Sequence, residues 1–419
     1  MEAAKHFIKR CGVYILTFLK WIAVACVVGT VIGFVGTVFA VLIGFFTGLR
    51  ADNPWILFTL PVIGVAIALL YRAMGVKEDE GTNLVLMSIR THKKVPLNMA
   101  FLIFTTTVLT HLGGGSAGRE GAALQLGGSL AAFLGKIFKF EEKDVHVTTM
   151  CGMSAAFAAV FGMPLTAAVF SIEVISIGIM HYSAIVPCVF ASIIGFNISR
   201  GLGLAPENFA ISGVPELGIK KLALVVVLAL LCALLSIIMC QVVKKTGWLS
   251  RKLIKVPELR AAVGGVLIIA LTFRVGSRDY NGGGMHIVMA ALEGNAFAGA
   301  FVLKIIFTAI TLGFGFKGGE IVPAFFIGST FGCVVGPLLG LDPSFAAGIG
   351  LVAMFCGVTN CPLTSILLSI ELFGSQGVLY FAAAVAVSYM MSGHFGLYSN
   401  QKLIYSKLKA EYIDREVGT

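Results

Sequence analysis

Apolar positions run along this chain in long, nearly uncharged blocks. Val13 to Gly48 carries one charge, Lys20, and Leu222 to Val243 carries none. Crossing the hydrocarbon core of a bilayer takes roughly 20 apolar residues, so each block predicts a membrane helix. The first is expected to be a retained helix and not a cleaved leader, because no small-residue cleavage site follows a short apolar core. Many other apolar segments are short and broken by glycine, of which there are 50. They predict tilted or interrupted helices whose free backbone groups face protein or water instead of lipid. Around Arg200 to Lys220 the chain turns polar, with Pro206, Asn208, Pro215 and Glu216. That stretch reads as a linker between two membrane repeats, 1–205 and 206–400, with 401–419 left as a short cytoplasmic tail.

Composition narrows the class to an all-α, multi-pass membrane protein. Hydrophobic residues make up 58% of the 419, mean hydropathy is +0.94, and 12% are charged, where soluble domains carry about 25%. The net charge of +10 collects at the N-terminus, at Arg90 to Lys94, at Lys244 to Arg260 and after Gln401. Cytoplasmic loops obeying the positive-inside rule explain it. No basic stripe with interleaved aromatics points to nucleic acid. The nine cysteines include no C-x-x-C pair and sit mostly in apolar runs, so they read as small buried hydrophobes. No metal or other cofactor is expected. No nucleotide-binding loop of the G-x-x-x-x-G-K-S/T type is present.

The two halves repeat. His111-Leu112-Gly113-Gly114-Gly115 lines up with Thr311-Leu312-Gly313-Phe314-Gly315, and Gly118-Arg119-Glu120 with Gly318-Gly319-Glu320. Pro164-Leu165-Thr166 and Ser171-Ile172-Glu173 recur as Pro362-Leu363-Thr364 and Ser369-Ile370-Glu371. Repeats of this kind in a helical membrane protein point to a substrate site near the bilayer midplane, built from broken helices at the repeat interface. From the pattern alone, parallel and inverted repeats stay equally open.

The segment Gly113 to Gly121 carries the candidate chemistry. A glycine-dense loop feeding a helix N-terminus presents free N–H groups and a positive dipole end to an anion. Partial charges hold an ion weakly enough to release it. Glu120 lies in this loop, and an acid at membrane depth is costly enough to suggest function. Its carboxylate occupies an anion site when charged and vacates it when protonated, which couples anion movement to protons. Glu320, at the matching place, reads either as a second proton carrier or as a brace at a helix start. Glu173 and Glu371 recur together and read as structural groups near helix ends. A reading from another class uses Gly114-Gly115-Ser116-Ala117-Gly118, a G-x-S-x-G pattern, with Ser116 as the nucleophile of an intramembrane hydrolase. That motif normally follows a strand, and none is predicted here.

Gly118-Arg119-Glu120-Gly121 matches the G-R-E-G of the CLC chloride channel and transporter family, and the chain resembles that family up to about Tyr398. The resemblance implies inverted repeats, a homodimer with one pore per subunit, a cell-membrane location, and halide anions and protons as the transported species. It implies Glu120 as the gate and Tyr398, in Leu397-Tyr398-Ser399, as a hydroxyl donor to the anion. Gly319-Glu320-Ile321-Val322-Pro323 echoes the family's G-x-F-x-P loop, which gives an anion path past Gly118, Ile321 and Val322. The family's serine loop corresponds to Gly81-Thr82-Asn83, with Thr82 supplying the hydroxyl and Asn83 lining the pore. Glu320 in a G-G-E loop is similar to the fluoride-exporting branch, whose threonine after the acid is Val322 here. That branch's two pore phenylalanines are expected at Leu84 and Ile287. The second acid of the family's proton exchangers falls at Val174. The expectation is a proton-coupled halide antiporter for chloride or fluoride; a passive chloride channel is the alternative.

Overall fold

A computed structural model describes residues 2–76, 80–91, 93–206, 209–409 and 411–418. The first half runs α1 (Glu2–Asp52), α2 (Leu60–Ala73), α3 (Thr82–Arg90), α4 (Asn98–Gly113), α5 (Glu120–Ile137), α6 (Glu142–Phe161), α7 (Pro164–Glu173) and α8 (Ile185–Gly201). The second runs α9 (Ile219–Leu253), α10 (Pro257–Val275), α11 (Met285–Leu292), α12 (Ala300–Gly313), α13 (Ile321–Val335), α14 (Pro343–Thr359), α15 (Pro362–Phe373) and α16 (Val378–Met391). The polar linker separates α8 from α9; its Glu207 and Asn208 lie outside the described residues. Among the described helical segments, six are long and apolar enough to cross a bilayer. Others are far too short. The 10 residues of α7 and 12 of α15 reach about 15 and 18 Å at 1.5 Å per residue, against a hydrocarbon core of about 30 Å.

The glycines explain how such short pieces pack. A methyl group on Gly127 would stand 2.2 Å from the Gly152 carbonyl oxygen, and one on Gly328 would stand 2.4 Å from that of Gly350. Bare backbone there lets α5 lie against α6, and α13 against α14, at backbone distance, as small residues do between membrane helices. Helix contact in lipid depends on such fit because apolar burial drives little association there.

Short α7 and α15 solve their end problem jointly. Each starts at a proline and has no side-chain cap of its own, leaving the first N–H groups without acceptors. Glu371, near the end of α15, accepts from Leu165 N at 2.9 Å and Thr166 N at 2.8 Å. Glu173, at the end of α7, accepts from Leu363 N at 3.0 Å and Thr364 N at 2.8 Å, and takes the Thr364 hydroxyl as well. Each carboxylate also meets the positive end of a helix dipole. The exchange requires α7 and α15 to lie side by side and antiparallel. Equivalent elements that run antiparallel across a membrane make the repeats inverted, the choice that sequence spacing had left open.

The 401–419 tail is more ordered than a loose extension. β1 (Ser176–Ile177) pairs in parallel with β2 (Lys402–Tyr405), which pairs antiparallel with β3 (Tyr412–Glu416). This small sheet is a minor addition to a helical fold. It draws the chain after Tyr398 back onto the end of α7.

Candidate functional site: a paired loop between two cavities

The loops that open α5 and α13 meet face to face. Gly118 N donates to Gly319 O and Gly319 N donates to Gly118 O, both at 2.7 Å, forming one isolated antiparallel bridge. A side chain on Gly319 would stand 2.7 Å from Gly121 N, and one on Gly118 would stand 2.7 Å from a Glu120 carboxylate oxygen. Glycine is therefore required at Gly319, where the clash is with backbone, while a side chain at Gly118 would displace the Glu120 carboxylate. The bridge commits the Gly118 N–H to Gly319, so that group is not open to a ligand in this conformation. Ile321 and Val322 open α13, where N–H groups lack intrahelical acceptors; both side chains are buried.

Two cavities flank the bridge. One, of about 550 Å³, is lined by Gly118, Glu120 and Val322 together with Arg50, Arg119 and Arg278. The other, of about 200 Å³, is lined by Thr82, Asn83, Gln125, Lys317, Glu320 and Tyr398. The smaller one lies on the side of α3 and the tail, where Arg90 binds the carbonyl of Asn400; the positive-inside rule applied to the basic segments Arg90–Lys94 and 401–419 assigns that side to the cytoplasm. The two repeat acids stand on opposite sides of a single backbone crossing. Glu120 is 1% exposed; its carboxylate accepts from Arg119 N at 3.0 Å, with Arg119 Nε 3.6 Å away.

Second-loop residues expected on the inner path are present there, with specific duties. Thr82 Oγ1 donates to Gly121 O at 3.0 Å. A hydroxyl has one proton, so in this conformation it braces the Glu120 loop and cannot also donate to an anion. Asn83 Oδ1 accepts from Asn400 N at 3.2 Å, two residues beyond Tyr398. Fully buried Gln401 donates to the carbonyls of Val174 at 2.9 Å and Thr359 at 3.1 Å. Together these fix the backbone that carries Tyr398, itself 4% exposed.

Neither Leu84 nor Ile287 lines either cavity among the described residues; Leu84 is buried in the main apolar core and Ile287 packs, partly buried, against it. Ser116 is buried, with its hydroxyl 3.1 Å from Thr308 Oγ1 and its N–H on Thr311 Oγ1 at 2.9 Å. It sits in a helix-to-helix loop, paired with a threonine hydroxyl instead of an imidazole.

Several charged residues of the site had not been singled out by pattern, among them Arg50, Arg278, Lys317 and Lys304. Lys304, on α12, is fully buried and donates to Gly282 O at 2.7 Å and Tyr280 O at 3.3 Å. Its ammonium holds the loop whose Gly283 and Gly284 line the outer cavity. The available signal was a lone charge between Asn295 and Phe316, since an intramembrane cation is costly and suggests function.

Known proteins agree with this architecture. A family profile described as voltage gated chloride channel matches residues 63–393. A chloride/fluoride channel protein of Pseudomonas syringae pv. tomato is 37% identical over 395 residues, covering 93% of this chain and 87% of its own. An H(+)/Cl(-) exchange transporter ClcA of Vibrio parahaemolyticus is 24% identical over 469 residues, covering 99% and 95%. Among solved structures, that of a CLC-type fluoride/proton antiporter superposes with a TM-score of 0.88 at 29% identity, over 91% of this chain and 98% of that one. A slow cyanobacterial Cl-/H+ antiporter shares the fold, with a TM-score of 0.75 at 19% identity over 89% and 94%.

Proposed function

Because the chain belongs to the voltage gated chloride channel family, we propose that it exchanges a halide anion, chloride or fluoride, for protons across the cell membrane. The observation that carries this reading is the placement of Glu120 and Glu320 in separate cavities on either side of the Gly118–Gly319 bridge. Glu120 is the gate. Charged, it fills the place of an anion at the start of α5; protonated, it loses its attraction to that helix end and moves aside. Glu320 is the carboxylate that a proton meets from the inner cavity. Tyr398 and the N–H groups of Ile321 and Val322 support the anion between them. The relatives named above support both chloride and fluoride as cargo. The G-G-E loop favours fluoride, while Val322 at the outer cavity offers no hydroxyl to it.

The subunit pairs with a second copy through α7 and α15. Leu165 and Leu363 are each 48% exposed, and Glu371 beside them is only half-buried. A carboxylate on an apolar face is costly against lipid, and a second copy covers it. A passive channel is the competing reading. It is favoured by Val174, an apolar side chain where a second acid would stand, with its carbonyl already bonded to Gln401.

Purified protein in liposomes, read by anion and pH electrodes together, decides between them. Exchange predicts protons moving against the anion gradient, with proton movement lost and anion flux retained in Glu120→Ala. Rapid anion flux without proton movement establishes the channel instead, and absence of flux for every halide overturns the transport reading.

A further inference from the structure

A cavity of about 450 Å³, separate from the pore, is enclosed by the cytoplasmic ends of α3, α5 and α6. Lys93, Lys94, Lys136 and His146 line it, as does one acid, Glu142. Phe140 lines it too, and packs edge-on against Trp21 of α1 at 6.4 Å, with Lys20 Nζ 4.9 Å from the Phe140 ring. Aromatic rings partnered by lysine mark the depth where acyl chains give way to headgroups. Basic pockets between membrane helices at that depth on the cytoplasmic side suit anionic headgroups.

The same cavity is wired to the pore through α3. Thr82 and Asn83, at one end of α3, line the inner pore cavity, and Ser88, near its other end, lines the basic one. Lys93 also forms a 2.6 Å ion pair with Glu80, and Glu80 lines the inner pore cavity. With both side chains more than a third exposed, such a pair is held weakly and yields to a stronger anion.

We propose that this cavity binds the phosphate headgroup of an anionic phospholipid of the cytoplasmic leaflet, and that the bound phosphate draws Lys93 away from Glu80. The released Glu80 carboxylate then repels anions approaching the inner cavity. Anionic lipid thereby slows anion entry from the cytoplasm. The binding step is independent of what the pore carries; the flux consequence rests on the transport reading.

The test pairs native mass spectrometry of the detergent-solubilised protein with flux in vesicles. Phosphatidylglycerol is retained by the wild-type protein in preference to phosphatidylcholine. Lys94→Gln/Lys136→Gln weakens retention by roughly 10- to 30-fold, as expected for two lysines near anionic lipid. Lys94→Arg/Lys136→Arg keeps it, which separates lost charge from a misfolded cavity. Inorganic phosphate, added alone, leaves Lys94 and Lys136 open to amine acylation, whereas the lipid protects them. Equal protection by inorganic phosphate overturns the lipid assignment, and equal retention of the two lipids overturns the site. In flux, phosphatidylglycerol vesicles slow the wild type more than Lys94→Gln/Lys136→Gln, which reports the bare surface potential. Lys93→Gln is slow in phosphatidylcholine vesicles, and phosphatidylglycerol slows it further only as much as it slows Lys94→Gln/Lys136→Gln. Full lipid sensitivity in Lys93→Gln overturns the Glu80 linkage.

Discussion

In the proposed pore, Tyr398, Thr82 and Lys304 act by different physics. Tyr398 reaches the inner cavity on a backbone pinned at Asn400 and Gln401, so its hydroxyl is pre-positioned. Removing one neutral donor costs about 1 kcal/mol; Tyr398→Phe should therefore weaken anion binding roughly fivefold in calorimetric titration, with thermal stability unchanged. Thr82 differs because its proton is held by Gly121 O. Thr82→Val should lower thermal stability by about 1–2 kcal/mol through the orphaned carbonyl and slow gating, while Thr82→Ser restores both. Lys304 is a charge-assisted donor to two carbonyls. Lys304→Met should cost about 1.5–3 kcal/mol in thermal unfolding and reduce entry of anions from outside, measured as flux against external anion concentration.

At the scale of helices, ends matter more than middles. The crossed caps of Glu173 and Glu371 mean that α7 and α15 are each finished by the other repeat. Glu173→Gln keeps a single acceptor for three donors, so it should destabilise the protein by about 1–3 kcal/mol, seen as a lower unfolding temperature. Glu371→Gln, whose partners are two backbone N–H groups, should cost less. The tail is an element of the same kind. Lys407 Nζ bonds Asn360 Oδ1 and, at 3.0 Å, Ser392 Oγ, with the Tyr389 ring 4.6 Å away. Burial lowers its ammonium from 10.5 to about 8. A depressed folded value means that the docked tail binds fewer protons than a released one. Tail docking should thus be strongest above about 10.5 and weaken as pH falls through about 8. Limited proteolysis after Tyr398, compared with Lys407→Met, reads this directly: the variant should lose the pH dependence.

Across the whole molecule, neither pore cavity is lined by a residue of α7 or α15. In the proposed pairing, a second copy covers the face of α7 and α15, away from both cavities. Bulky substitution of exposed Leu165 and Leu363, as Leu165→Trp/Leu363→Trp, should shift the protein from dimer to monomer in size-exclusion chromatography with light scattering. Flux per subunit should be retained.

Apolar blocks without charge were enough to determine a helical membrane protein, because lipid admits only backbone that satisfies its own hydrogen bonds. Repeated glycine loops and matched acids made the halves and the Glu120 site legible, since a helix start beside an intramembrane carboxylate has few other uses. Inversion of the repeats was decided only by the structure, through the antiparallel exchange between Glu173 and Glu371: spacing along a chain is identical for parallel and inverted copies. Spatial arrangement likewise committed the Gly118 N–H to Gly319, gave the Thr82 proton to Gly121, buried Leu84 in the core, and set Glu120 and Glu320 in separate cavities. Residue types limit which hydrogen bonds and ion contacts can form. Which of them do form depends on groups that lie far apart in sequence and meet only when the two repeats close on each other.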